Sequence, residues 1–243
     1  MASRAENEIR HGEKLALEET EMIWGWGTPA GRLRADRRAE LIIKGAGLKT
    51  GKQVLEIGCG TGMFTEKFVA TGAQVFAVDI SEALLAKARK RGLPKERVQF
   101  LNKRFEDCDV DGPFDAVIGS SVLHHLDIEI TLGKIFSLLK PGGLLSFAEP
   151  NMLNPQVAMQ LRFRRFLDYM SPDETAFIEW RLRNLLAVSG FGDIEVLPFD
   201  WLHPATPPSM ISAVILCGSI LERIPYIRQF AGSLYIRARR NGA

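Results

Sequence analysis

Cysteine is scarce in this chain of 243 residues, with three, at Cys59, Cys108 and Cys217. They are too widely spaced for a disulfide framework or a metal-binding pattern, which fits free thiols in a reducing, cytoplasmic setting. No charge of one sign is in surplus. The 31 basic and 29 acidic residues leave a formal net charge of +2, so bulk electrostatics gives no reason to expect a nucleic acid partner. Nowhere do about 18 apolar residues run uninterrupted, which excludes an ordinary membrane-spanning helix. The first thirty residues are charged and lack an apolar run, so no secretory signal is expected. Repeats and low-complexity tracts are missing as well. What remains is an ordinary globular composition, 46% hydrophobic and 25% charged, at a length that suits one sizeable α/β domain.

The most informative stretch is VLEIGCGTG, residues 54–62. Val54, Leu55 and Ile57 suit a short buried strand, and Gly58, Gly60 and Gly62 break it at once. Glycine adopts positive φ and lets a ligand approach the backbone with no Cβ in the way. A strand, a glycine turn and a helix over residues 63–70 put unpaired amides at the helix start. That is the carboxyl end of a strand, where open α/β sheets bind ligands. The turn also lacks something. A dinucleotide fingerprint needs glycine or alanine where Met63 stands, and a phosphate loop needs a Lys-Ser or Lys-Thr that does not follow. Glu56 beside the turn disfavours a pyrophosphate and suits a cation. Asp79 closes the next strand 19 residues past Gly60, a spacing that suits a carboxylate holding ribose hydroxyls. An adenosine with a positively charged amino-acid tail, S-adenosylmethionine, meets these conditions.

At this point the chain resembles the class I S-adenosylmethionine-dependent methyltransferases of small-molecule type. VLEIGCGTG is similar to their first motif and FAVDIS (residues 76–81) to the second. FDAVIGSSVLHHL (residues 114–126) is similar to the fourth, and LLKPGGLLSFAEP (residues 138–150) to the fifth. The resemblance is close over residues 53–150 and loose over 173–196. It implies a Rossmann-like α/β fold: a seven-stranded, mostly parallel sheet with the last strand antiparallel, helices on both faces and a small helical cap. Residues 1–243 are expected to form one methyltransferase domain, with N-terminal helices and a Trp-rich approach over 1–50 and an inserted helical cap over 152–172. The implied cofactor is S-adenosylmethionine and the product S-adenosylhomocysteine. The resemblance further implies that Gly58, Cys59, Gly60 and Gly62 take the methionine part, with Glu56 holding its amino group directly or through water. Asp79 would hold the ribose, Ile80 the adenine face, and Ser120 would lie near the sulfur. Relatives place an acid near the adenine amino group where this chain has Arg104. The contact would pass to Phe105 by stacking, with Glu106 or Asp107 taking the polar part. No metal is implied. The competing readings are a catalytically silent binding protein and an NAD-dependent reductase.

His124 and His125, just past the fourth strand, are candidate catalytic bases because histidine titrates near neutrality. Their alternative role is to pack a helix start. Glu149, ending the fifth strand, is a candidate base or acceptor-binding group, and equally a helix cap. A helix is expected over 5–21. Trp24 and Trp26 then either close over the ligand or pin that helix to the core. Further strands are expected over 73–78, 98–101, 114–120, 144–147, 194–199 and, antiparallel, 234–238. Pro141-Gly142-Gly143 reads as a helix end, and residues 160–169 as a cap helix. Its Arg162, Arg164 and Arg165 either meet an anionic acceptor or form a solvated face. Ser171 to Glu174 reads as a capping box opening a helix that runs to 188. The apolar segment 210–221, with arginines beyond it, packs on the sheet or rests on an anionic membrane surface through residues 209–240. The acceptor is expected to be a small molecule, lipid, quinone or sugar-linked, and the protein a monomer or homodimer.

Overall fold

A computed structural model describes residues 4–167, 171 and 173–242. Among them, β1 (Gln53–Ile57), β2 (Gln74–Asp79), β3 (Val98–Asn102), β4 (Phe114–Ser120), β5 (Leu139–Pro150), β6 (Phe191–Phe199) and β7 (Ser233–Arg240) form one sheet. Its order is β3-β2-β1-β4-β5-β7-β6. The pairs among β1 to β5 are parallel, whereas β7 runs antiparallel to both β5 and β6. The sheet is therefore the expected Rossmann-like one. Val54, Leu55 and Ile57 of β1 are fully buried, because a central parallel strand is covered on both faces and has no polar side to show.

The helices are α1 (Arg4–Ala16), α2 (Thr20–Ile23), α3 (Pro29–Ala46), α4 (Met63–Val69), α5 (Glu82–Arg89), α6 (Ile128–Leu138), α7 (Pro155–Arg162), α8 (Glu179–Val188), α9 (Ile211–Leu221) and α10 (Pro225–Arg228). Leu132 and Ile135 of α6 pack with Leu182 and Leu186 of α8 against one face of the sheet. Ile42 of α3, Phe68 of α4 and Leu85 of α5 join the core on the other. Local chemistry sets several helix starts. Thr28 Oγ1 accepts from Gly31 N–H ahead of Pro29, and Ser81 Oγ accepts from Leu84 N–H.

Four expectations need correction. The helix over 5–21 is broken after Ala16, where the Thr20 hydroxyl donates to the Leu15 carbonyl and a new turn begins. Pro141-Gly142-Gly143 lies inside β5, since Leu139 already pairs with Phe114 and the extra residues are absorbed by a register shift at positive-φ Gly142. The cap helix is α7, which starts five residues earlier than expected. Asn154 Oδ1 accepts from Gln156 and Val157 N–H there, and the helix ends at Arg162. Ser171 N–H does donate to Glu174 Oε2, yet no helix follows. The chain runs instead through Phe177, which bridges to Asn151, and α8 starts at Glu179. Residues 168–170 of the expected cap, and Pro172 of the capping box, lie outside the described residues.

The segment 210–221 is a helix but does not pack on the sheet. Only Ile211 and Gly218 of α9 are buried, while Ile215, Leu216 and Ile220 are exposed.

Candidate functional site

A cavity of about 470 Å³ opens at the carboxyl ends of β1, β2 and β4, within the usual range of small-molecule sites. The glycine turn forms its floor. Gly58 and Gly60 line it in left-handed conformations, with φ of +68° and +52°. A Cβ on Gly58 would collide with Val122, and one on Gly60 would press against the Trp24 ring. Gly62 is also left-handed, but here the need is packing. Its missing Cβ lets α4 approach Ala88 of α5.

Asp79 ends β2 on the cavity wall. Its Oδ2 accepts from Gly60 N–H at 2.7 Å and its Oδ1 from Ser81 N–H at 2.8 Å. Burial pushes its carboxyl up, and the two N–H groups work against that rise. Ile80, Arg104, Phe105 and Ser120 line the same cavity, as do His124 and His125. Arg104 pairs with Glu106, which also lines the cavity, and with exposed Asp107. Glu56, Cys59 and Glu149 do not line it. The sequence argument set Glu56 and Asp79 on one cavity, and only Asp79 is on its surface. Glu56 is buried, and that burial, with the charge of Asp79 adding to it, pushes its carboxyl up to about 8. Its Oε2 has no hydrogen-bond partner among the described residues.

Glu149 is fully buried below the loop that follows β4. Its Oε1 accepts from Val122 and Leu123 N–H at 2.9 and 3.0 Å, and its Oε2 faces His124 Nδ1 at 2.7 Å. His124 Nε2 lies 3.6 Å from Glu174 Oε1. Burial alone would lower the His124 pKa, but the two carboxylates outweigh it and hold it up at about 9. The Glu149 carboxyl is opposed by burial and held low by His124 and the two amides. His124 is thus an imidazolium with both ring nitrogens facing acids, an arrangement unsuited to a base. His125 Nδ1 lies 3.2 Å from Glu8 Oε2 on α1. Glu174 also brings a ligand atom within 4.8 Å of both histidines, a spacing that could hold a metal ion. Without a metal, His124, Glu149 and Glu174 pair as a charge cluster, and a metal would have to displace the His124 proton to bind there.

Several lining residues had no sequence signal strong enough to find them. Arg4 and Glu8 come from α1, which closes over the cavity. Arg4 donates to the carbonyls of His124 and Leu126. Arg38 of α3 stands between Ala35 and Ala39 on the buried stripe, a position where a charge is anomalous and could have been noticed. Both tryptophans line the cavity. Trp24 lies over Gly60 in the cavity, and Trp26 packs edge-on against Phe64 with its centroid 5.7 Å away.

Comparison with known proteins agrees with this geometry. A family model described as a methyltransferase domain matches residues 55–145. A ubiquinone biosynthesis O-methyltransferase of Bradyrhizobium sp. (strain ORS 278) is 34% identical over 179 residues, covering 68% of this chain and 70% of that protein. A protein of the same name from Nitrobacter winogradskyi is 33% identical over 118 residues, 48% of this chain and 44% of its own length. Among solved structures, the N-methyltransferase NodS from Bradyrhizobium japonicum WM9, in complex with S-adenosylhomocysteine, aligns with a TM-score of 0.67. It shares 17% identity, with 96% of this chain and 98% of that one covered. The chain belongs to the class I S-adenosylmethionine-dependent methyltransferases.

The residues present fit the family's cofactor. The glycine turn leaves the cavity floor without side chains, and Asp79 on its wall supplies fixed acceptors for hydroxyls.

The charge pairs set a pH dependence of the ligand-free protein. His124 is raised from 6.5 to about 9, so its contribution is complete below pH 6.5 and is lost as pH rises through 9. Glu56 is raised from 4.5 to about 8, so the unfolded chain gains by ionising it and stability falls across that window too. Thermal melts should therefore lose several degrees between about pH 6.5 and 9, and His124→Gln should flatten the slope above pH 7. A melting temperature that is level or rises through this range contradicts both assignments.

Proposed function

We propose that this methyltransferase acts on a hydroxyl of an aromatic, amphiphilic acceptor delivered at a membrane surface. The observation that carries this reading is the continuity of one cavity, from Asp79 and the glycine turn to a wall of Trp24, Trp26, Phe64, Trp201 and Leu202. Flat apolar walls suit a ring, and the name carried by the Bradyrhizobium relative supports a quinone-like hydroxyl compound. S-adenosylmethionine, when bound, supplies an activated methyl group on a sulfonium. The chain itself supplies position and dryness. Asp79 takes the ribose hydroxyls, Ile80 and Phe105 the adenine faces, and Gly58 and Gly60 admit the methionine part. Good orientation of the reacting groups is worth about 7–11 kcal/mol, and α1 across the cavity mouth keeps water out. With His124 clamped between acids, the reading asks for positioning and gives no deprotonating role to that ring.

Delivery at a membrane is supported by the surface beside the cavity. Trp201 lines the cavity and packs against Gly218 of α9. The outward side of α9 bears Ile215, Leu216 and Ile220, and Ile224, Tyr226, Ile227 and Phe230 extend the apolar patch. Arg223 lies exposed within it. No helix among the described residues is long and apolar enough to cross a bilayer. An apolar surface edged by cations suits the interface of an anionic bilayer.

Asp79→Ala should weaken S-adenosylmethionine binding by about 1–3 kcal/mol, read by isothermal titration; unchanged affinity removes the ribose assignment. Wild-type protein should co-sediment with vesicles containing phosphatidylglycerol, and Leu216→Glu with Ile220→Glu should abolish this with catalysis on a soluble acceptor retained. Equal sedimentation of the double variant excludes α9 as the contact.

A further inference from the structure

We propose that the acceptor binds as an oxyanion, with its charged oxygen against the hydroxyls of Ser120, Ser121 and Ser233 and balancing the Arg38 guanidinium buried behind them. The inference deepens the reading above and rests on it.

Arg38 is 2% exposed, on the side of α3 that faces the sheet. A guanidinium removed from water is costly unless an acid balances it. Nearby acids are already engaged. Asp200 Oδ2 is 2.8 Å from Arg34 Nε, and its Oδ1 accepts from Leu202 N–H. Glu149 is spent on His124. Among the described residues Arg38 has no ion pair to a carboxylate; Asp200 and Glu149 favour its charge without touching it, and neighbouring Arg34 repels it. Trp26 and Phe199 rings at 5.3 and 5.8 Å offer only a partial substitute. Burial pulls its pKa down to about 10, which leaves it a cation at neutral pH.

Its donors go mostly to hydroxyl groups, with the Ala148 carbonyl accepting from Nη1 at 3.3 Å as well. Nη1 donates to Ser120 Oγ at 3.1 Å and Ser121 Oγ at 2.8 Å, and Nη2 donates to Ser233 Oγ at 2.6 Å. Nε is buried with no partner. A hydroxyl that accepts from a cation keeps its own proton free and becomes a better donor. All three serines line the cavity. Ser121 is held at φ +56°, a conformation that a residue with a Cβ rarely adopts without a reason. Three polarised O–H groups therefore meet at the cavity wall with a buried guanidinium behind them that no carboxylate among the described residues contacts directly, and such an arrangement stabilises a negative oxygen. Two groups on an aromatic acceptor would supply it: an ionised ring hydroxyl or a carboxylate. An already ionised hydroxyl also needs no base, which agrees with the engagement of both nitrogens of His124.

The test titrates protein saturated with S-adenosylhomocysteine with 4-nitrophenol against nitrobenzene, and with benzoate against benzamide. At least one oxyanion should bind about tenfold or more tightly than its neutral counterpart, the effect of an opposite charge at short range. For 4-nitrophenol the absorbance of the phenolate should show the hydroxyl's pKa lowered on binding. A preference in the nitrophenol arm identifies an ionised hydroxyl, and one in the benzoate arm a carboxylate. No preference in either arm overturns the inference. Arg38→Lys should keep most of the preference and Arg38→Met should lose it, with circular dichroism checking the fold. Where Arg38→Met does not fold, Ser121→Ala should reduce the preference, and an unchanged ratio overturns the proposal. Failure of the wild type to bind S-adenosylhomocysteine sinks the methyltransferase reading. Binding of it without oxyanion preference sinks this inference alone.

Discussion

The Asp79 carboxylate is the tie on which the site depends. Placed where β2 ends, it accepts from Gly60 N–H in the first strand-to-helix turn and from Ser81 N–H in the second. Two turns from different parts of the chain are thus locked to one acid. That acid remains on the cavity wall with lone pairs to spare, since an ionised carboxylate offers about four acceptor directions. Burial disfavours its charge, and the amides compensate. The cavity floor is therefore largely built in advance, which reduces what must be ordered when a ligand arrives.

A second buried acid organises the other end. Glu149 holds two backbone amides and the His124 ring, and the His124 carbonyl accepts from Arg4 of α1 and from the Thr175 hydroxyl. The loop after β4, the N-terminal helix and the segment before α8 thereby share one anchor. Pairing leaves Glu149 and His124 balanced, and Arg34 balances Asp200. Arg38, also on the cavity wall, has hydroxyls and a carbonyl as partners and, among the described residues, no carboxylate in contact.

The parallel strands were legible because buried strands carry continuous apolar runs, as in β1 and β2, and the glycine turn because its spacing admits few ligands. Gly190 stopping α8 and the antiparallel β7 were legible for similar local reasons. The misses came from long-range effects. β5 extends through Pro141-Gly142-Gly143 because a neighbouring strand pairs with Leu139, which no local propensity reveals. Ser171 to Glu174 has capping-box chemistry, but pairing of Phe177 with Asn151 draws the chain out straight. Glu56 was read as a ligand group from its nearness to the turn, although strand alternation and burial turn its side chain off the cavity surface. Arg4 contacts a carbonyl 120 residues away, a closure that only the tertiary fold can show. The apolar α9 was expected to pack on the sheet or meet a membrane, and its exposure removes the first reading, which periodicity could not do.

The most direct measurement is a crystal structure of the protein with S-adenosylhomocysteine. The expected result has both ribose hydroxyls within hydrogen-bond distance of the Asp79 carboxylate, the methionine part over Gly58 and Gly60, and the sulfur facing the Ser120 side of the cavity. A nucleoside seated elsewhere, with Asp79 still bound only to Gly60 and Ser81, contradicts the account.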